Sequence, residues 1–177
     1  MRTSGHVALI ALLLAINPIF SPVLRAEQPS ERTAISGNIS ANLVRGYIKW
    51  IVDQTGWPTA DVPPIKTVSS NELSKLLLGP SSELAPVRPG ALYSKNEHLI
   101  FLADTWRKDN TIDQSILVHE LVHHLQMENH IEFECWGRYE AQAYDLQIRW
   151  LRSQGAEDPY KLLGVTRVAI DSLAECP

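Results

Sequence analysis

His119-Glu120-Leu121-Val122-His123 is the stretch on which the reading of this chain turns. On a helix, residues four apart share one face about a turn apart, so both imidazoles can reach a single ion while the Glu beside the first stays near its open position. With 6 His in 177 residues, random ordering would produce this pattern in roughly one chain in a hundred, so chance is a weak account of it. The rival reading is a surface helix with solvated histidines, in which Leu121, Val122 and Leu125 form the stripe that faces the core.

Working outward, the pattern needs a third ligand, because catalytic zinc usually takes three protein ligands and keeps a fourth position for water. A third His six residues after His123 would fall at Asn129, and the Gly expected three residues after His123 is Gln126, so the metzincin extension is absent. Glu140, 17 residues beyond His123, returns a carboxylate on the next helix, with Ala141 and Ala143 small enough for close helix approach. Glu132 and Glu134 are the alternatives, nearer the turn and expected to face solvent. His124 points about 100° away from its neighbour and reads as a packed histidine, and His130 falls in the turn.

The elements around this motif follow from periodicity and punctuation. Asn38 to Gln54 repeats apolar residues at helical spacing and stops at Gly56. Ile65 to Val68 alternates like a short strand, and Ser69 to Glu72 offers a capping box for a helix through Leu78. The stretch from Gly79 to Gly90 reads as a loop. Ala91–Ser94 and His98–Ala103 read as a hairpin around Lys95-Asn96-Glu97. Thr111 is the expected cap of the motif helix, a break falls at Asn129-His130, and a second long helix runs from about Glu134 to Ser153. Asp158-Pro159 starts another helix, Gly164 interrupts it, and Thr166 to Ala174 forms one more. The order predicts an α+β fold, mostly helical, with a small antiparallel sheet beside the motif helix and the helix after it.

Residues 1–26 read as a secretory signal: Arg2 gives a weakly positive start, Val7 to Ile16 is apolar, and Asn17-Pro18 interrupts the run short of a membrane span. Cleavage is expected after Ala26, with an uncleaved anchor as the alternative. Residues 27–37 read as a mobile leader and 38–177 as one domain. Without Arg2 and Arg25 the remainder carries 14 basic against 20 acidic residues and no basic block, which argues against a nucleic-acid partner. No second long apolar segment follows, so no membrane association is expected after signal cleavage. Cys135 and Cys176, an even pair in an exported chain, are expected to form a disulfide.

These residues resemble the gluzincin branch of the zincin metallopeptidases, over roughly Leu92 to Leu151. The resemblance implies that His119, His123 and Glu140 bind Zn2+ and that Glu120 is the general base of peptide hydrolysis. It also implies that a strand such as His98–Ala103 is the edge along which an extended peptide or protein substrate lies. Tyr144 departs from the pattern, since many gluzincins place there an Asp that orients a histidine ligand; Asp145 is offset by one. Another group must then fix the imidazole tautomer.

Tyr93, Tyr139, Tyr144 and Tyr160 are each able to stabilise an oxyanion, and spacing does not rank them. The five Trp residues share no common spacing and read as packing. A nucleophile elbow, a phosphate-binding glycine loop and a zinc-finger cysteine spacing are all missing. The expectation is an exported zinc metallopeptidase; the alternative is a non-catalytic metal-binding or peptide-recognition module on the same core.

Overall fold

The computed structural model describes residues 39–79 and 89–176. The expected signal (1–26), the leader (27–37) and residues 80–88 of the proline-rich loop lie outside the described residues. Helix α1 (Ala41–Thr55) begins three residues later than its periodicity suggests, because Ser40 is the cap that accepts the Leu43 N–H, and it ends at left-handed Gly56. It buries Val44, Tyr47, Ile48 and Ile51. No helix among the described residues is long and apolar enough to cross a membrane.

Strands β1 (Ile65–Val68), β2 (Ala91–Ser94) and β3 (Leu99–Ala103) form a three-stranded sheet in the order β1-β3-β2. The hairpin is antiparallel, with Tyr93 opposite Ile100, but β1 runs parallel to β3. The sheet is therefore mixed, which corrects the antiparallel expectation. The physical reason is helix α2 (Ser70–Leu78), inserted directly after β1 and capped by Ser69, since a parallel neighbour needs a crossover and a hairpin does not.

A second correction follows from the strand order. His98–Ala103 was expected to be the substrate edge, yet β3 is central and both its edges are hydrogen-bonded. Among the described residues, the edge of the hairpin with no strand beside it belongs to β2. Along β3 the side chains alternate: Ile100 and Leu102 join the main core with α1 and the motif helix, while Phe101 and Ala103 join Val68 and Leu73 of α2 on the other face.

The motif helix α3 (Thr111–Glu128) is capped by Asn110, whose Oδ1 accepts from both Ile112 and Asp113 amides. Thr111, the expected cap, is its first helical residue. Every residue from Leu117 to Gln126 is buried, so α3 is enclosed around its circumference and is no solvated surface helix. Helix α4 (Trp136–Ser153) follows a turn in which His130 adopts φ 51. The short helices α5 (Pro159–Leu163) and α6 (Arg167–Leu173) close the chain.

The Cys135–Cys176 disulfide forms as expected and ties the C-terminal tail to the residue that caps α4. Beside it, Gly137 lies so close to the end of α6 that a Cβ there would collide with the Leu173 carbonyl oxygen. That contact is backbone and cannot swing away. Gly137→Ala is expected to displace α6 and lower the midpoint of thermal unfolding by several degrees, read by circular dichroism; an unchanged midpoint would show that α6 does not depend on this contact.

Candidate metal centre

Helices α3 and α4 bring His119, His123 and Glu140 together, with one donor atom from each within 4.8 Å of the others. His119 Nε2 is 3.3 Å from Glu140 Oε2, and His123 Nε2 is 3.3 Å from Glu140 Oε1. Glu132 and Glu134 are exposed and stay outside the group; Glu134 pairs with Arg138 at 3.1 Å. Of the small residues flanking Glu140, Ala143 is fully buried in the core, whereas Ala141 lines a groove between α4 and α6.

Each imidazole is held from behind by a buried glutamine. His119 Nδ1 is 3.0 Å from Gln147 Oε1, and His123 Nδ1 is 2.9 Å from Gln126 Oε1. The amides are anchored in turn: Gln147 Nε2 donates to Ser115 Oγ at 3.0 Å, and Gln126 Nε2 donates to the Tyr139 carbonyl and to Gln142 Oε1. With each NH2 engaged, each glutamine presents its oxygen to the ring, so Nδ1 carries a proton and Nε2 is the ring atom turned towards Glu140, donating to the carboxylate when protonated and offering its lone pair to an ion when not. The tautomer requirement raised by Tyr144 is thus met by Gln147, seven residues after Glu140. Asp145 does not serve it and pairs loosely with Arg149.

Sequence reading missed three neighbours of the cluster. Gln126 and Gln147 carry no motif, although two polar residues on otherwise apolar helix faces were a visible signal. Trp136 was read as packing, but it is 46% exposed, stacks on His123 at 5.4 Å and donates its indole N–H to Glu140 Oε1 at 3.0 Å. Its spacing of four from Glu140 was the available clue.

Glu120 is positioned from the sheet: its Oε2 accepts the Tyr93 backbone N–H at 2.8 Å. It opens onto a cleft of about 290 Å³ that is also lined by His119, Tyr144, Ala91, Ile116 and Leu162. His124 turns away, as expected, to the Asp61 carbonyl at 2.9 Å, and burial lowers its pKa. Burial also pushes the Tyr93 hydroxyl up to about 12.

Burial alone would raise the Glu140 pKa, but hydrogen bonds and charge from His119 and His123 outweigh it and hold the carboxyl well below its usual range. Burial alone would lower His123, but its contact with Glu140 and the nearby Glu120 charge raise it. Burial and the charges of Glu140 and Glu120 push Tyr144 up, so it is a neutral phenol near neutral pH.

The signs for chelator-treated protein follow from linkage. Glu140, depressed, stabilises the fold above its unfolded value of 4.5 and loses that contribution as pH falls. His123, raised, stabilises it below 6.5 and loses that contribution as pH rises through its folded value. The pair therefore contributes most between these values, while metal affinity runs the other way and climbs with pH as imidazoles deprotonate. Urea titrations of the chelated parent and the chelated Glu140→Gln variant should show a larger stability gap between the two proteins at pH 5.5 than at pH 8, a comparison that cancels the opposite contribution of the lowered His124. A gap of equal size at both pH values would show that the Glu140–His123 pair does not set the pH dependence.

Two imidazole nitrogens and one carboxylate, turned inward on one another, are a donor set that fits a divalent cation once the rings have shed their Nε2 protons. Fold and site together define a buried two-histidine, one-carboxylate cluster that can hold a metal ion. The chain belongs to the DUF6647 family, a domain of unknown function, whose family model matches residues 36–176. No curated protein and no solved structure matches it.

Proposed function

We propose that this chain is a zinc-dependent hydrolase of zincin type, acting as a metallopeptidase on extended peptides. The observation that carries the reading is the convergence of His119, His123 and Glu140 within 4.8 Å, with Glu120 held beside them over an open cleft. The order of a strand pair, a helix bearing both histidines, a turn and a helix bearing the carboxylate supports the zincin likeness.

His119, His123 and Glu140 would hold the ion, and bound zinc supplies Lewis acidity and lowers the pKa of a coordinated water towards about 7. The chain's own residues do the rest. Glu120 takes a proton from the attacking water and delivers it to the leaving amine. The substrate strand lies along β2. Ala103 N–H donates to the Gly90 carbonyl at 2.9 Å, so residues 90, 92 and 94 face β3 and the backbone groups of Ala91 and Tyr93 face outward. The Tyr93 amide is engaged by Glu120, and Ala91 lines the cleft, where its peptide groups can pair with an extended ligand.

The disulfide fits an oxidising compartment, so export to a periplasm or the exterior belongs to the same reading. The test is elemental analysis of protein purified without added metal or a metal-binding tag, followed by turnover on a quenched peptide mixture. Activity should vanish with chelator and return with zinc. Failure to bind zinc at neutral pH would sink the proposal, and one bound zinc without turnover would favour a non-catalytic metal-binding module.

A further inference from the structure

The geometry points to Tyr144 as the hydrogen-bond donor that stabilises the oxyanion formed on the substrate carbonyl, an inference that rests on the hydrolase reading above. Four tyrosines compete for this role, and their surroundings separate them. Tyr139 is committed, donating its hydroxyl to the Ile131 carbonyl at 2.9 Å and accepting the Phe133 N–H at 3.2 Å. The Tyr93 hydroxyl is buried, and its ring packs on His124, which faces away from the cluster. Tyr160 lies under Arg152 in the groove between α4 and α6.

Tyr144 alone among the four lines the cleft with Glu120 and His119. Its ring meets His119 edge-on at 4.7 Å, and no described residue hydrogen-bonds its hydroxyl. The position is free for this task because Gln147, almost one turn further along α4, supplies the acceptor for His119 Nδ1 at 3.0 Å. Helix α3 contacts both β2 and α4. Glu120 is tied to β2 and Tyr144 comes from α4, and both line the cleft, so a carbonyl bound there meets a base and an O–H donor from different elements.

The step balances with water as the only co-reactant. The water oxygen bonds to the carbonyl carbon as Glu120 accepts one of its protons, and the C=O π pair moves onto oxygen, where it accepts the Tyr144 hydrogen bond. When the carbonyl re-forms, the C–N bond breaks and nitrogen takes the proton from Glu120. Tyr144 gives up no proton.

Tyr144→Phe keeps the ring against His119 and removes only the donor. Removing one oxyanion donor typically costs about 10²–10³ in kcat. The zinc-loaded variant should therefore lose at least about a hundredfold in kcat on the quenched peptide mixture, with KM and zinc content within threefold of the parent. Calorimetry with a phosphinic tripeptide, whose tetrahedral oxygens imitate the oxyanion, should show weakening of similar size, while Tyr160→Phe changes neither quantity. If the parent cleaves peptides and Tyr144→Phe keeps full kcat, or if Tyr160→Phe shows the loss instead, the assignment is overturned and the hydrolase reading stands. If the parent neither cleaves nor binds the phosphinate, the hydrolase reading falls and takes the assignment with it.

Discussion

Glu140→Ala should release the metal. In the proposed site the substitution removes one of three ligands and the only charged one, leaving two imidazoles from a single helix to hold a divalent cation. Loss of an outer partner of a metal ligand typically costs 10–100-fold in affinity, so loss of the carboxylate itself is expected to cost at least about a hundredfold. Elemental analysis after dialysis should find one zinc per parent chain and almost none in the variant. Glu140 is only partly buried, with 26% of its side chain exposed, so truncation opens no closed cavity and the helical circular dichroism should persist. Parent-like zinc affinity in a folded Glu140→Ala protein would remove Glu140 from the site.

Glu120→Gln should abolish most turnover while leaving the metal in place. The amide is nearly isosteric, and its oxygen can still accept the Tyr93 N–H that Glu120 receives at 2.8 Å, so the cleft keeps its shape. The amide cannot take a proton from water near neutral pH. General-base catalysis contributes typically 10²–10⁴-fold, and kcat is expected to fall by about that factor with zinc content unchanged and KM shifted little. A zinc-loaded Glu120→Gln protein with parental kcat would refute the role given to Glu120.

The expected outcomes for Glu140 and Glu120 differ because the two carboxylates sit in different electrostatic settings. Glu140 faces two imidazole nitrogens at 3.3 Å and is stabilised as an anion. Glu120 is 9% exposed and receives one backbone amide. An anion locked by two cations-in-waiting makes a good ligand, whereas a base must be able to accept a proton and return it. This contrast makes metal content and kcat independent readouts of the two residues.

Local patterns in the sequence determined most of the elements and the cluster. Helical spacing, Ser69 and Ser40 as caps and Gly56 as a stop are short-range effects within one turn of chain, and so is the four-residue interval that puts His119 and His123 on one face. The Glu140 assignment needed only a helix, a turn and a helix, and the cysteine pairing followed from an even count of two in a chain read as exported. Tertiary structure alone decided the strand order, because whether Ile65–Val68 joins parallel or antiparallel depends on where α2 packs, and that moved the free edge from β3 to β2. It also decided which atoms face the cluster of His119, His123 and Glu140. Gln147 of α4 reaches His119 of α3, the Tyr139 carbonyl of α4 turns the Gln126 amide so that its oxygen meets His123, and Trp136 of α4 stacks on His123, because α3 and α4 dock in one register, and such contacts across helices leave no periodic trace in the sequence.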